Sequence, residues 1–179
     1  MDYCVVSRGT FSQLTGLKIE VLNLNKTDMD NSLAACLTQF HTLGSIELSD
    51  TKFDNDGLKH LVALPLHRLV LSRDNIDDKG IKYLATSALK DKLVELNIEG
   101  TKVTGDALPV LAKFKKLIYL NISGTKISTA DLLKSSKYLS GLQRLTVGMD
   151  PPLSARDIHD IRGVLPKGCS LESGHIRSL

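Results

Sequence analysis

The sequence predicts a curved α/β solenoid, with a parallel β-sheet on the concave face and helices on the convex face. Three observations carry this expectation. LNISGTKIS at 120–128 nearly repeats LNIEGTKVT at 96–104. The same apolar grid runs through the rest of the chain at intervals of about two dozen residues. Within each copy the apolar period changes from two, as in a strand, to three, as on a helix face.

Taking Leu120 as position 4, the pattern reads L-x-x-L-x-L/I-x-x-T-x-I/V, with the marked residues at positions 1, 4, 6, 9 and 11. The first full copy is Ile19, Leu22, Leu24, Thr27 and Met29, and the second is Leu43, Ile46, Leu48, Thr51 and Phe53. Leu66, Leu69, Leu71, Asp74 and Ile76 follow, then Leu93, Leu96, Ile98, Thr101 and Val103. The fifth copy is Leu117, Leu120, Ile122, Thr125 and Ile127, with successive starts 24, 23, 27 and 24 residues apart. A sixth begins at Leu142 and continues through Leu145 and Val147 until Asp150 and Pro151-Pro152 break it.

Positions 4 and 6 alternate, so both point to one face of a short strand and the residues between them to the other. Beyond position 11, Leu58, Leu61 and Leu64, or Leu108, Leu111 and Phe114, step by three along an amphipathic helix. Position 12 holds Asp30, Asp54, Asp77, Thr104 and Ser128, side chains that accept from the free amides of a helix start. Ser128 with Asp131 forms a capping-box pattern. No single repeat buries its own apolar face, so neighbours stack.

This grid is identified as the leucine-rich repeat signature, and it covers nearly the whole chain. Thr in place of Asn at position 9 resembles the cysteine-containing repeats of F-box proteins and related bacterial and protist arrays. The resemblance implies that Thr27, Thr51, Asp74, Thr101, Thr125 and Asp150 bond backbone groups in the turn, a structural task for short polar side chains.

The whole of 1–179 reads as one domain: 1–18 a partial repeat, 19–141 five full repeats, 142–179 the last repeat and a cap. Val6, Ser7, Phe11, Leu14, Leu17 and Ile19 align with Phe53, Asp54, Leu58, Leu61, Leu64 and Leu66, which puts Cys4 at position 9. Met1 therefore falls inside a repeat, as in a short natural cap or in a piece of a longer array. Ser154 with Asp157 starts a helix carrying Ile158, Ile161 and Leu165 inward. LPKGCSLES then reads as an abbreviated final strand, with Cys169 and Leu171 packing on the last repeat. The tail GHIRSL carries no further signal.

Composition narrows the function classes. Of 179 residues, 23 are basic and 20 acidic, a net charge of +3 spread along the chain, which supplies no polyanion-binding stripe. No window approaches the ~18 apolar residues of a membrane span, and the start lacks a secretory signal pattern. A cytoplasmic protein is expected. Cys4, Cys36 and Cys169 are too far apart for a metal knuckle. His159 stands two residues from Asp157 and one from Asp160, spacings that do not converge on a helix, and His41, His60, His67 and His175 are scattered. The GTK segments lack the spacing of a phosphate loop. Neither enzyme chemistry, cofactor nor metal is expected.

Function is therefore sought on the outward concave positions 3, 5, 7 and 8, as a docking face for another protein. The candidate partner-binding residues are Glu47, Arg68, Val70, Arg73, Glu95, Asn97, Glu99, Tyr119, Asn121 and Arg144. Arg68 and Glu95 share a row and either neutralise each other or recognise a partner. Tyr119 with Arg144 is the anchor pair, since Tyr and Arg are enriched at energetic hot spots, although an exposed Tyr on a sheet is also ordinary. Lys113, Lys115, Lys116, Lys134 and Lys137 read as solvated lysines on helix exteriors. The expectation is a non-catalytic interaction scaffold. The resemblance also implies the substrate-receptor part of a ubiquitin-ligase adaptor, although no F-box-like segment precedes the repeats. An enzyme, or an inhibitor covering an enzyme cleft, is the reading from a different class.

Overall fold

A computed structural model of the chain describes residues 5–173, without the side chains of residues 136 and 137. The strands are β1 Val21–Asn23, β2 Ser45–Glu47, β3 Arg68–Val70, β4 Glu95–Asn97, β5 Tyr119–Asn121, β6 Arg144–Val147 and β7 Ser170–Ser173. They form one parallel sheet in chain order. Val21, Ser45, Arg68, Glu95, Tyr119 and Arg144 stand in one row, as the repeat grid requires, and Ser170 extends it to the final strand.

The repeating leucines make the spine. Ile46, Leu69, Leu96, Leu120 and Leu145 of position 4 are fully buried, as are Leu48, Leu71, Ile98 and Val147 of position 6. Each such side chain contributes roughly 1.5–3 kcal/mol relative to exposure. The turns follow from position 9. The hydroxyls of Thr27, Thr101 and Thr125 each donate to the position 6 carbonyl of their own repeat, those of Leu24, Ile98 and Ile122, at 2.7 Å. Thr27 and Thr125 also accept from the position 11 amides of Met29 and Ile127. The expected turn-bonding role holds at these positions.

The convex side carries α1 (Arg8–Gln13), α2 (Asn31–Ala34), α3 (Leu58–Leu61), α4 (Asp78–Thr86), α5 (Leu108–Leu111), α6 (Thr129–Ser135) and α7 (Ala155–Val164). Several are a single turn extended by 3₁₀ segments such as Ala35–Gln39 and Gly105–Ala107. The three-residue apolar steps fit this geometry, because 3₁₀ turns repeat every three residues. The longest repeat, which opens the 27-residue interval, holds a nine-residue helix, α4, and the C-terminal α7 has ten residues.

Most expected caps form. Asp30 accepts from the Leu33 amide, Asp77 from Lys79 and Thr104 from Asp106, while Ser128 and Asp131 exchange both capping-box bonds. Asp54 is a correction. Helix α3 starts four residues later with Gly57 at its cap, and Asp54 accepts instead from the Asp56 amide. Leu17 is a second correction. It stands exposed rather than aligned into the core, since no described strand covers the outer side of β1.

Position 13, which the sequence grid passes over, ties neighbouring repeats together. Asn31 donates to the Asp54 carboxylate at 2.6 Å and accepts from its amide at 3.1 Å; Asn55 does the same to Asp77. Asp78 accepts from both the amide and the hydroxyl of Thr104. The residue types are complementary: an amide side chain meets Asp, and a carboxylate meets Thr.

At the C-terminal end Leu165 packs against the core as expected of α7, whereas Ile158 is only half-buried. Ser154 and Asp157 form a capping box for α7, Ile161 is fully buried, and Cys169 and Leu171 pack against the core. The expectation for Cys4 and the tail 174–179 lies outside the described residues.

Candidate functional site

The outward rows of the sheet carry the candidate residues. At position 5, Asn23, Asn97 and Asn121 each turn the side-chain oxygen onto the position 7 amide of their own strand, at 2.9–3.0 Å. These asparagines shape the strand exit. Asn121 and Val70 are each 6% exposed, so both offer little surface, whereas Asn97 remains half-buried. Small residues at position 7, Ser49, Ser72 and Ser123, are buried too.

The charged residues link into two chains across the repeats. Arg68 reaches Glu47 at 2.6 Å and Glu95 at 3.0 Å. The second oxygen of Glu47 accepts from Asn23 and Asn25. The bond from Arg68 holds the Glu47 carboxyl below its ordinary pKa, with Asn25 helping and burial opposing. One turn further, Arg73 grips Asp50 through Nε and Nη2, both at 2.6 Å, and reaches Glu99 at 3.2 Å. Arg73 likewise lowers Asp50. Of the two roles open to Arg68 and Glu95, mutual neutralisation is what the geometry displays.

Position 8 has a backbone signature. Lys26, Asp50 and Arg73 adopt φ of 55°, 58° and 62°, and Gly100 and Gly124 take 68° and 65°. The glycine of each GTK segment therefore serves a left-handed turn, which glycine adopts without steric cost. Gly100 does more: a Cβ there would lie 2.8 Å from Cγ of Arg73.

Asp74 departs from its neighbours at position 9. It is 3% exposed; one oxygen accepts from the amide and hydroxyl of Thr51 at 2.9 and 3.1 Å, and Oδ2 has no hydrogen-bond partner among the described residues. Burial pushes its carboxyl up to about 7, with Asp50 adding to the rise and Thr51 and Arg73 opposing it. Thr51 pays for the contact by turning its hydroxyl to Asp74.

The two chains end before the last repeats. There Arg144 lies over the Tyr119 ring, 5.6 Å from its centroid, and reaches Glu172 of β7 at 3.4 Å. Its side chain is 57% exposed, against 31% for Arg68 and 39% for Arg73. A groove of about 580 Å³ opens beside it, walled by Glu95, Ile118, Tyr119, Gln143 and Ser170. Glu172 was absent from the sequence-based candidates, yet continuing the repeat from Thr146 into the final strand places it in the position 5 row.

Lys113, Lys116 and Lys134 are exposed, and Lys115 pairs with Asp91 at 2.9 Å. The side chain of Lys137 lies outside those described. Among the described residues no group of His, Cys, Asp and Glu could hold a metal ion. No helix among them is long and apolar enough to cross a membrane.

No protein-family model matches the chain, and no curated protein matches it by sequence. Its structure is similar to internalin C2 of Listeria monocytogenes, at 23% identity and a TM-score of 0.56, covering 76% of this chain and 55% of that one. It is also similar to the internalin InlF of the same organism, at 19% identity and a TM-score of 0.53, covering 94% and 52%. The chain spans about half the length of these structures. The likeness is one of fold, a leucine-rich-repeat solenoid.

Proposed function

We propose that the chain is a non-catalytic scaffold that binds another protein on its concave face, with Tyr119 and Arg144 as the anchor. The observation that carries this reading is the contrast in exposure and pairing among the concave arginines. Arg68 and Arg73 each bridge two carboxylates, whereas Arg144 is more exposed, stacked on Tyr119 and beside a groove. Tyr and Arg in a partly closed groove are the side chains that lose most on truncation at interfaces. Glu47, Arg68, Arg73, Glu95, Asn97 and Glu99 form the pre-organised surround, and Val70 and Asn121 support it from beneath. Mixed charge suits a protein partner better than a polyanion. The similarity to the cysteine-containing repeat subclass rests on Thr at position 9; Cys36 and Cys169 stand elsewhere in the repeat.

Affinity capture from the native cell, followed by mass spectrometry, identifies the partner. Tyr119→Ala and Arg144→Ala are then expected to weaken its binding by at least tenfold, about 1.4 kcal/mol, with an unchanged melting temperature. Unaltered affinity in both variants refutes the anchor.

A further inference from the structure

We propose that the groove beside Tyr119 and Arg144 receives an acidic side chain of the partner protein, and that Glu172 occupies Arg144 until that carboxylate displaces it. The inference rests on the concave-face reading and names the chemistry the partner brings.

Three observations support it. A guanidinium carries five N–H donors. Arg68 uses its donors on Glu47, Glu95 and the Ser45 hydroxyl, and Arg73 on both oxygens of Asp50 and on Glu99. Arg144 makes one ion pair among the described residues, through Nε, and its two terminal nitrogens have no hydrogen-bond partner there. The docked charge is thus an anion at Arg144.

The existing pair is also weak enough to exchange. Arg144 and Glu172 meet at 3.4 Å with both side chains about half exposed, 57% and 52%. Charge-assisted bonds to a bidentate carboxylate form at about 2.7–2.9 Å, and an exposed single contact contributes little. Glu172 keeps an alternative partner when displaced, since its other oxygen accepts from the Thr146 hydroxyl at 3.3 Å.

Glu95 lines the same groove and pairs with Arg68 through one oxygen at 3.0 Å, so Arg144 is the groove's cation with unused donors among the described residues. Ile118 and the Tyr119 ring supply an apolar floor for the stem of a Glu or for a neighbouring apolar residue.

The test is a titration of the isotope-labelled full chain with capped peptides, acetyl-Gly-Leu-Glu-Leu-Gly-amide and its Gln and Lys analogues, followed by NMR. The Glu peptide is expected to shift the Arg144 Nε–H and the Tyr119 ring at millimolar concentration, and the Gln and Lys peptides are not. Glu172→Gln is expected to tighten the Glu peptide roughly three- to tenfold, whereas Arg144→Gln abolishes its binding. Opposite signs from the two halves of one ion pair are not a consequence of lost structure, and melting temperatures within about 2 °C of the parent confirm intact folding. Equal binding of the Glu and Gln peptides in the groove, or weakening by Glu172→Gln, overturns the carboxylate assignment and leaves the concave reading intact. Shifts confined to the convex helices overturn both. No response to the Glu peptide from the Glu172→Gln chain overturns the proposal as well.

Discussion

The turns that leave the first three strands differ from those that leave the fourth and fifth. Lys26, Asp50 and Arg73 hold a left-handed backbone that costs a non-glycine residue on the order of 1 kcal/mol, while Gly100 and Gly124 adopt it freely. The first group gains a side chain at each turn. Asp50 and Arg73 join it to Glu99 in a chain of charges laid across the sheet. The second group has none, and beyond it the face opens toward Tyr119 and Arg144. Gly100 belongs to both halves: its bare Cα makes room for the Arg73 stem that crosses the preceding turn. The difference teaches that a strained residue can be retained where its side chain closes a surface, and that glycine leaves the surface available.

The largest effect expected from breaking this arrangement comes from below the open half. Leu120→Asp buries an unpaired carboxylate at a fully enclosed site and should cost about 4 kcal/mol or more, read as loss of cooperative melting. The same change at Leu22, partly buried on the edge strand, should be much milder. A normal melting temperature for Leu120→Asp contradicts the register.

The closed half contains a titrating defect, Asp74. Its folded carboxyl stays protonated to about pH 7, whereas the unfolded one releases its proton near 3.8. The folded chain therefore holds one more proton between these values, and stability falls as pH rises from about 4 to about 7, then levels off. The slope is at most about 1.4 kcal/mol per pH unit. Glu47 and Asp50, held low by their arginines, act in the other direction only below the ordinary carboxylate range. Asp74→Asn keeps an acceptor for Thr51 and places a donor at the unpartnered position. It should flatten denaturant-derived stability between pH 5 and 7 and raise it at pH 8 by roughly 1–3 kcal/mol. An unchanged pH slope would show that Asp74 is already ionised in the folded chain.

A smaller, paired test addresses the turns themselves. Gly100→Ala adds strain and pushes Arg73 aside, for an expected loss of roughly 1–2 kcal/mol. Lys26→Gly removes strain where no ion pair is formed among the described residues, and should be neutral to stabilising by up to about 1 kcal/mol. Equal effects of the same sign in thermal melts would erase the distinction between the halves.

Strand register, core face and most caps were legible in the sequence because each depends on local spacing. Leu22, Ile46, Leu69, Leu96, Leu120 and Leu145 lie opposite one another as their repeat positions require. The misses have physical causes. Asp54 satisfies the spacing of a cap, yet its helix starts later, at Leu58, because the intervening residues turn first. Leu17 aligns with buried Leu64, but no described strand covers its outer side. Position 13 escaped notice because its signal lies in pairs separated by a whole repeat: Asn31 with Asp54, Asn55 with Asp77, Asp78 with Thr104. At the candidate site the rows were legible, but the partners of Arg68, Arg73 and Arg144 were not.

By itself the sequence determined the period, the strand register and the apolar spine, since one pattern repeated at near-constant spacing permits only stacked, parallel packing. Tertiary structure alone decided which polar groups on the sheet are saturated and which remain available. Those outcomes depend on side-chain reach between repeats, and on distances such as the 2.6 Å at Arg73 and the 3.4 Å at Arg144, which residue order does not encode locally.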